Sequence, residues 1–161
     1  YNGASCRVLH NGKVTKPIPV ESGVKQGCSL SPLLFNIVID WVMRRTNDRK
    51  RGITWGLNKC LEDIDYADDI CLLAHSFADM QQKLERLSQE AKLIGLEINI
   101  DKTKSMRIGK TQPNHFKLNN IDVEDAETFC YLGSIISKKG GTEDDIKQRI
   151  NKAKYAFSML N

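Results

Sequence analysis

The chain has 161 residues, with 24 Lys plus Arg against 20 Asp plus Glu, a mild net charge of +4. Apolar residues make up 40% and charged residues 27%, a globular composition that excludes a disordered tail. No apolar run reaches the roughly 18–20 residues of a membrane span, and no basic-then-apolar leader is visible. The chain starts at Tyr1 rather than at Met, and its first residues already read as strand, as expected for a piece of a longer protein. The excess of cations permits a polyanionic partner without requiring one.

Residues 4–10 and 13–20 flank Asn11-Gly12, a dipeptide that between two β-like runs predicts a two-residue hairpin. Ser31 followed by Pro32 predicts an N-cap with proline at the first helical position. Leu33, Leu34, Ile37, Val38, Trp41 and Val42 then recur at helical spacing, predicting a helix of about 15 residues with a wide apolar stripe. It ends in Arg44, Arg45, Arg49, Lys50 and Arg51, where cations suit a helix C-terminus.

Residues 60–66 and 70–74 predict a second hairpin around Ala67-Asp68-Asp69. Ser76 and Asp79 form a capping-box pattern for a helix. Its buried stripe is expected to be Met80, Leu84, Leu87, Ala91 and Ile94, with Gly95 as the left-handed residue that ends it. Residues 96–100 and 105–108 read as strands joined by a turn at 101–104. Residues 116–118, 121–123 and 129–136 read as further short strands. Gly140-Gly141 is a break. Thr142, with Asp145 three residues on, opens a last helix bearing Ile146, Ile150, Ala153, Phe157 and Leu160. Helices interleaved with antiparallel pairs predict an α+β sheet with helices on one face.

The five cysteines are odd in number and none is at metal-knuckle spacing, so buried thiols are expected rather than disulfides or zinc. His10, His75 and His115 are isolated and carry no site signal.

The run Glu62-Asp63-Ile64-Asp65-Tyr66-Ala67-Asp68-Asp69 holds five carboxylates in eight residues. Such crowding repels unless it is compensated, either by water on an exposed turn or by a divalent cation, for which carboxylate oxygens are natural ligands. Asp68-Asp69 falls between two apolar-containing runs. A turn breaks strand alternation, so neighbouring carboxylates there can share one cation. Asp144-Asp145, in contrast, sits in the first turn of a predicted helix, where the helix dipole favours acids, and it gets no metal role.

The run Gly23-Val24-Lys25-Gln26-Gly27-Cys28-Ser29-Leu30-Ser31-Pro32-Leu33-Leu34-Phe35-Asn36 resembles motif B of reverse transcriptases from non-LTR (LINE-type) retrotransposons. Tyr66-Ala67-Asp68-Asp69 resembles their motif C, the metal-binding hairpin. Gly95-Leu96-Glu97-Ile98-Asn99-Ile100-Asp101-Lys102-Thr103-Lys104 resembles motif D. Tyr131-Leu132-Gly133-Ser134 resembles motif E, the primer-grip hairpin. The motifs stand in family order over residues 20–136. Retroviral-type and group II intron polymerases are the neighbouring branches, and the Gly-Cys-Ser-Leu-Ser-Pro wording favours the LINE-type one.

The resemblance implies a polymerase palm, a ferredoxin-like antiparallel sheet with helices on one face. Residues 1–137 would form part of that palm, and residues 138–161 a helix leading to the thumb. It implies RNA-directed DNA synthesis from an RNA template, a DNA primer and deoxynucleoside triphosphates, with no membrane partner. Two Mg²⁺ ions about 3.5–4 Å apart, or Mn²⁺ in their place, would serve the attacking and leaving oxygens. It implies metal ligation by Asp68, with Asp69 beside it. Gln26 and Gly27 would lie against template and nucleotide. Lys102, or Lys104, would sit near the departing pyrophosphate. Tyr131, Leu132, Gly133 and Ser134 would contact the primer.

Plainer readings stand beside these. Gln26-Gly27 serves equally as a helix-entry turn, and Lys102 and Lys104 as solvated turn residues. Tyr66, Trp41 and Phe35 read as packing residues. The Arg44–Arg51 cluster reads as a solvated helix end or as a phosphate-tracking surface.

The family's further aspartate, on motif A upstream of motif B, has no counterpart here, since no Asp precedes Asp40 and only Glu21 precedes Gly23. Fingers, motif A and thumb are therefore expected in a parent chain, and the segment is expected to be inactive alone. A degenerate relic and a non-catalytic RNA-binding module are the alternatives. By analogy the parent would act in cytoplasm or nucleus.

Overall fold

The computed structural model describes residues 3–47, 50–57, 59–109 and 113–160. The chain divides into two units, Tyr1–Ile39 and Asp40–Asn161. No helix among the described residues is long and apolar enough to cross a membrane.

The first unit holds the predicted hairpin. β1 (Ser5–Cys6) pairs with β4 (Ile18–Pro19), and β2 (Leu9–His10) with β3 (Lys13–Val14), all antiparallel. Asn11 and Gly12 both take positive φ, 48° and 73°, the signature of the type I′ turn that matches strand twist. α1 (Ser31–Thr46) begins in this unit and continues into the second.

In the second unit, α1 buries Val42, Met43 and Thr46, while Trp41 is exposed. Val42 is buried as expected, but the rest of the expected stripe is corrected, because Leu33, Leu34, Ile37 and Val38 are also exposed. The buried positions 39, 42, 43 and 46 lie one residue along, about 100° round the helix from the expected face. Ser31 is the first helical residue rather than the one preceding it, and its hydroxyl donates to the Lys25 carbonyl (2.6 Å).

β5 (Ile53–Trp55) pairs with β6 (Lys59–Leu61), a hairpin the sequence pattern does not announce. β7 (Asp63–Tyr66) pairs with β8 (Asp69–Leu72) as predicted. α2 (Phe77–Leu93) starts as predicted, Ser76 Oγ accepting from the Asp79 N–H (3.1 Å). It ends in a Schellman motif, with Leu96 N–H donating to the Ala91 carbonyl (2.9 Å) and Gly95 N–H to that of Lys92 (3.1 Å). Gly95 takes φ 77°, the left-handed geometry expected of it.

Residues 96–100 are not a strand. They run irregularly to a turn, and Ile98 and Ile100 pack on the core. Only β9 (Lys104–Ser105) forms nearby, and it pairs parallel with β12 (Glu124–Asp125). β10 (Lys117–Leu118) and β11 (Ile121–Asp122) make a hairpin, as do β13 (Thr128–Tyr131) and β14 (Ser134–Ser137). Among the described residues the strands form two-stranded ladders, antiparallel apart from β9 with β12, rather than one continuous sheet.

The core gathers Leu84 of α2 with Phe116, Leu118 and Val123, and Leu72, Phe77 and Met80 pack against it. Phe77 and Phe116 stack at 4.5 Å. Burying Leu118 and Val123 contributes about 1.5–3 kcal/mol each. Leu72 brings the acid hairpin onto this core and Ile100 brings the turn that carries Lys102.

α3 (Glu143–Ser158) has Thr142 as N-cap, but no side-chain capping bond forms. Asp145, expected to complete that box, accepts instead from Ile135 N–H (2.9 Å) and Arg149 Nε (2.8 Å). Ile146, Ile150, Ala153 and Phe157 stay exposed, as does Leu160 beyond the helix end, so the expected buried stripe is absent.

The cysteines are free thiols, but none is fully buried: Cys6 and Cys130 are exposed and Cys28, Cys60 and Cys71 half-buried. Cys60 Sγ lies 3.0 Å from a Glu62 carboxylate oxygen.

Candidate active site

The acid hairpin turns through two residues. Tyr66 pairs with Asp69, so Ala67 and Asp68 form the loop and Asp69 opens β8. Ala67 takes φ 55°, a strained setting for a residue with a Cβ. Its positive φ at the first loop position, unaccompanied at the second, matches a type II′ turn. Both aspartates are exposed. Among the described residues neither carboxylate has a hydrogen-bond or ion-pair partner; Tyr131 meets the main-chain carbonyl of Asp69. The Tyr66 ring is 67% exposed, which corrects its reading as a packing residue.

Asp63 and Asp65 alternate onto one face of β7. Asn47 Nδ2 donates to Asp63 Oδ1 at 2.5 Å. Burial and then the Asp65 charge push the Asp63 carboxyl above its usual range, against the opposing Asn47 bond.

The hairpin's foot is fixed by Lys83, a side chain 1% exposed on α2. Its ammonium donates to the carbonyls of Glu62 and Leu73, each at 2.8 Å, and pairs with the Glu62 carboxylate at 2.5 Å. Glu62 Oε1 also accepts from the Arg51 N–H (3.0 Å). Burial raises the Glu62 carboxyl, but hydrogen bonds from Lys83, Cys60 and the Gly52 main chain outweigh it, so the net direction is down. The motif pattern singles out neither Lys83 nor Gly52. Helical spacing does place position 83 on the buried face of α2, three residues after Met80 and four before Leu87.

Gln26 and Gly27 are the central residues of a turn closed by Cys28 N–H donating to the Lys25 carbonyl (3.2 Å). Gly27, at φ 84°, supplies the positive φ that a type II turn needs at its third position. Its two chain neighbours apart, nothing among the described residues lies within 4 Å of where its Cβ would stand. This turn belongs to the first unit and the acid hairpin to the second.

Lys102 sits in a turn where its N–H donates to Asn99 Oδ1 (3.1 Å), and its side chain is exposed. Among the described residues its ammonium has no partner, whereas that of Lys104 is paired with the Glu124 carboxylate.

Tyr131 Oη lies 2.8 Å from the Ile64 carbonyl and 3.1 Å from that of Asp69. Leu132 and Gly133, at φ 49° and 82°, form the exposed tip of their hairpin. Ser134 Oγ accepts from Arg149 Nη2 (2.8 Å).

The basic cluster is mostly paired within the chain. Arg44 meets Asp40 (2.9 Å), Arg45 meets Glu90 (2.5 Å) and Arg51 meets Asp79 (3.8 Å). Arg45 also lies over the Trp41 ring, 4.9 Å from its centroid, so Trp41 is not the core residue expected. Arg49 lies outside the described residues.

The carboxylates of Asp68 and Asp69 fit a hard divalent cation in donor chemistry, being oxygen ligands without competing protein partners. Among the described residues, no group of three or more His, Cys, Asp and Glu side chains comes together to hold a metal.

Residues 4–136 match the family described as reverse transcriptase (RNA-dependent DNA polymerase). The chain is 30% identical over 147 residues to a "Retrovirus-related Pol polyprotein from type-1 retrotransposable element R2" of Popillia japonica, covering 85% of this chain and 24% of that protein. It is 32% identical over 134 residues to the corresponding polyprotein of type-2 element R2DM of Drosophila melanogaster, covering 83% and 12%. A "Transposon TX1 uncharacterized 149 kDa protein" of Xenopus laevis is 26% identical over 145 residues, covering 85% and 11%. The chain thus spans a quarter or less of the length of these relatives. With motifs B to E inside the matched residues, the chain belongs to the reverse transcriptase family, on its non-LTR retrotransposon branch.

Proposed function

We propose that this chain is the motif B to E part of the palm of an RNA-directed DNA polymerase. The parent would extend a DNA primer on an RNA template with deoxynucleoside triphosphates. The observation that carries this reading is the pair of exposed carboxylates, unpartnered among the described residues, of Asp68 in a braced two-residue turn and Asp69 at the start of the strand that follows it. In the parent, the strand pairs would join the family's ferredoxin-like antiparallel sheet, and residues 138–161 would lead to the thumb.

Asp68 and Asp69 would supply part of the ligand set for Mg²⁺, with Mn²⁺ as a substitute. When bound, such cations would supply positive charge at the attacking and leaving oxygens. Gln26 and Gly27 would offer a turn with open space above it to template and nucleotide. Lys102, rather than the paired Lys104, would face the pyrophosphate. Leu132 and Gly133, flanked by Tyr131 and Ser134, would seat the primer. The cell compartment would be cytoplasm or nucleus.

The test is primer extension by the parent polymerase on an RNA template. Asp68→Ala is expected to lower the rate by at least about 10²-fold, the scale of losing one preorganised electrostatic group. Full extension by that variant would overturn the reading. The isolated 161-residue chain is expected to extend no faster than its own Asp68→Ala variant. Salt-sensitive RNA binding unaffected by Asp68→Ala, without extension by the parent, would favour a non-catalytic binding module.

A further inference from the structure

Tyr131 is the last residue of β13, and its hydroxyl reaches away from its own hairpin. The two carbonyls it meets, Ile64 at 2.8 Å and Asp69 at 3.1 Å, belong to opposite strands of the acid hairpin. A phenol has one proton, so it donates to one carbonyl at a time, and the shorter contact is with Ile64. Either bond pins the hairpin between its foot and its tip.

The mount for this contact is itself held. Ile135 N–H donates to Asp145 Oδ1 (2.9 Å), and Arg149 bonds both Asp145 (2.8 Å) and Ser134 (2.8 Å). Lys138 joins Asp125 (3.0 Å) and Glu127 (2.9 Å). β13 and β14 are therefore tied to α3 and to β12. Lys83 anchors the other end of the acid hairpin. Between these supports, Ile64, Asp65, Tyr66, Asp68 and Asp69 are exposed. A two-stranded ribbon is marginal by itself, so what it leans on sets where its tip lies.

We propose that Tyr131 is a positioning residue, whose hydroxyl sets the Asp68-Asp69 tip relative to the hairpin carrying Leu132 and Gly133. This rests on the polymerase reading above and refines the role of Tyr131, whose hydroxyl is turned to the acid hairpin rather than free for primer. A phenol keeps its proton at neutral pH, so the hydroxyl is a donor there.

The test uses the parent polymerase with Tyr131→Phe, which keeps the ring and removes only the hydroxyl. Amide hydrogen exchange over residues 63–72 is expected to speed up about two- to tenfold, the scale of one lost hydrogen bond. Exchange in α2 and α3 is expected to stay the same. Single-turnover extension should slow by a comparable factor while primer–template Kd is unchanged. Weakened primer affinity with a normal rate would overturn the proposal and make the hydroxyl a primer contact. Unchanged exchange, or faster exchange with an unchanged rate, would overturn it equally. Asp68→Ala separates the two levels: if that variant retains full extension, the polymerase reading fails and the positioning role falls with it.

Discussion

Lys83 and Glu62 form a strut beneath the acid hairpin, ammonium to carboxylate at 2.5 Å. The same ammonium also donates to the carbonyls of Glu62 and Leu73, at 2.8 Å each. These carbonyls lie just outside β7 and β8, so one side chain of α2 closes the open end of the ribbon whose other end carries Asp68. Lys83→Met keeps the aliphatic stem and removes the charge. It leaves a carboxylate 15% exposed without its ammonium and the Leu73 carbonyl without this donor, while the Glu62 carbonyl keeps the Leu73 N–H (2.9 Å). The expected loss is about 3–5 kcal/mol, the cost of breaking one side of a buried pair, read by urea unfolding. Lys83→Arg is not expected to restore it, because a planar fork cannot follow three acceptors set round an ammonium. A loss below about 1 kcal/mol, the range of an exposed pair, would show the strut to be incidental.

The strut also gives the chain an acid-sensitive element. Burial raises the Glu62 carboxyl, but the bonds from Lys83, Cys60 and Gly52 outweigh it, and the folded-state value lies below the usual 4.5. A depressed carboxylate stabilises the fold fully above its unfolded value, and that stability is lost as pH falls through the folded value. Asp63 works the other way, since its carboxyl is raised from 3.8 by burial and by Asp65, so its contribution is lost as pH rises. The difference in unfolding free energy between the native chain and Glu62→Gln should be constant near neutrality and shrink below pH 4.5. A difference independent of pH down to full acid unfolding would contradict the assignment.

Local signals were legible wherever a short segment determines its own geometry. Asn11-Gly12, Ser76 with Asp79, and Gly95 each act through neighbours a few residues away, and each stands in the structure as read. The failures involve distance. The buried face of α1 depends on what packs there, and so does the exposure of Ile146, Ile150 and Phe157 on α3. Thr142 and Asp145 have the spacing of a capping box, but Ile135 and Arg149 compete for the carboxylate. The acid pair and its turn were visible in the motif. Its supports were not, because Lys83 and Tyr131 reach it across 21 and 67 residues of chain.

Gly52 offers a test of space rather than of backbone conformation. It lies just before β5, buried against the end of β6, and its φ is not in the left-handed region. A Cβ there would stand 2.1 Å from the Leu61 carbonyl oxygen and 2.7 Å from Glu62 Cα. These are main-chain atoms, at the end of β6 and in the residue after it, and they cannot swing aside as a side chain can. Gly52→Ala is expected to cost about 3 kcal/mol, the upper part of the range for overpacking. Its unfolding midpoint should fall accordingly. Gly109→Ala is a poor control, since that glycine takes φ 99°. Ala78→Gly, on the exposed first turn of α2, is a better one, with an expected cost of about 1 kcal/mol or less.

Lys102 and Lys104 are two residues apart, and sequence spacing does not separate them. Their partners do. Lys104 is paired with Glu124 beside the parallel contact of β9 with β12, whereas Lys102 is exposed on the turn that Asn99 organises. If Lys102 serves the leaving pyrophosphate, Lys102→Ala in the parent polymerase should slow single-turnover extension by about 10²-fold, the lower end for positioned acid catalysis. It should leave stability unchanged, since its ammonium has no partner among the described residues. Lys104→Ala should behave in the reverse way, costing about 0.2–1 kcal/mol of stability as an exposed pair with extension nearly normal. Glu124→Gln separates charge release from lysine loss: it frees Lys104, and if Lys104 can then substitute, the Glu124→Gln, Lys102→Ala double variant will be faster than Lys102→Ala alone. A slow Lys104→Ala enzyme beside a normal Lys102→Ala enzyme would reverse the assignment.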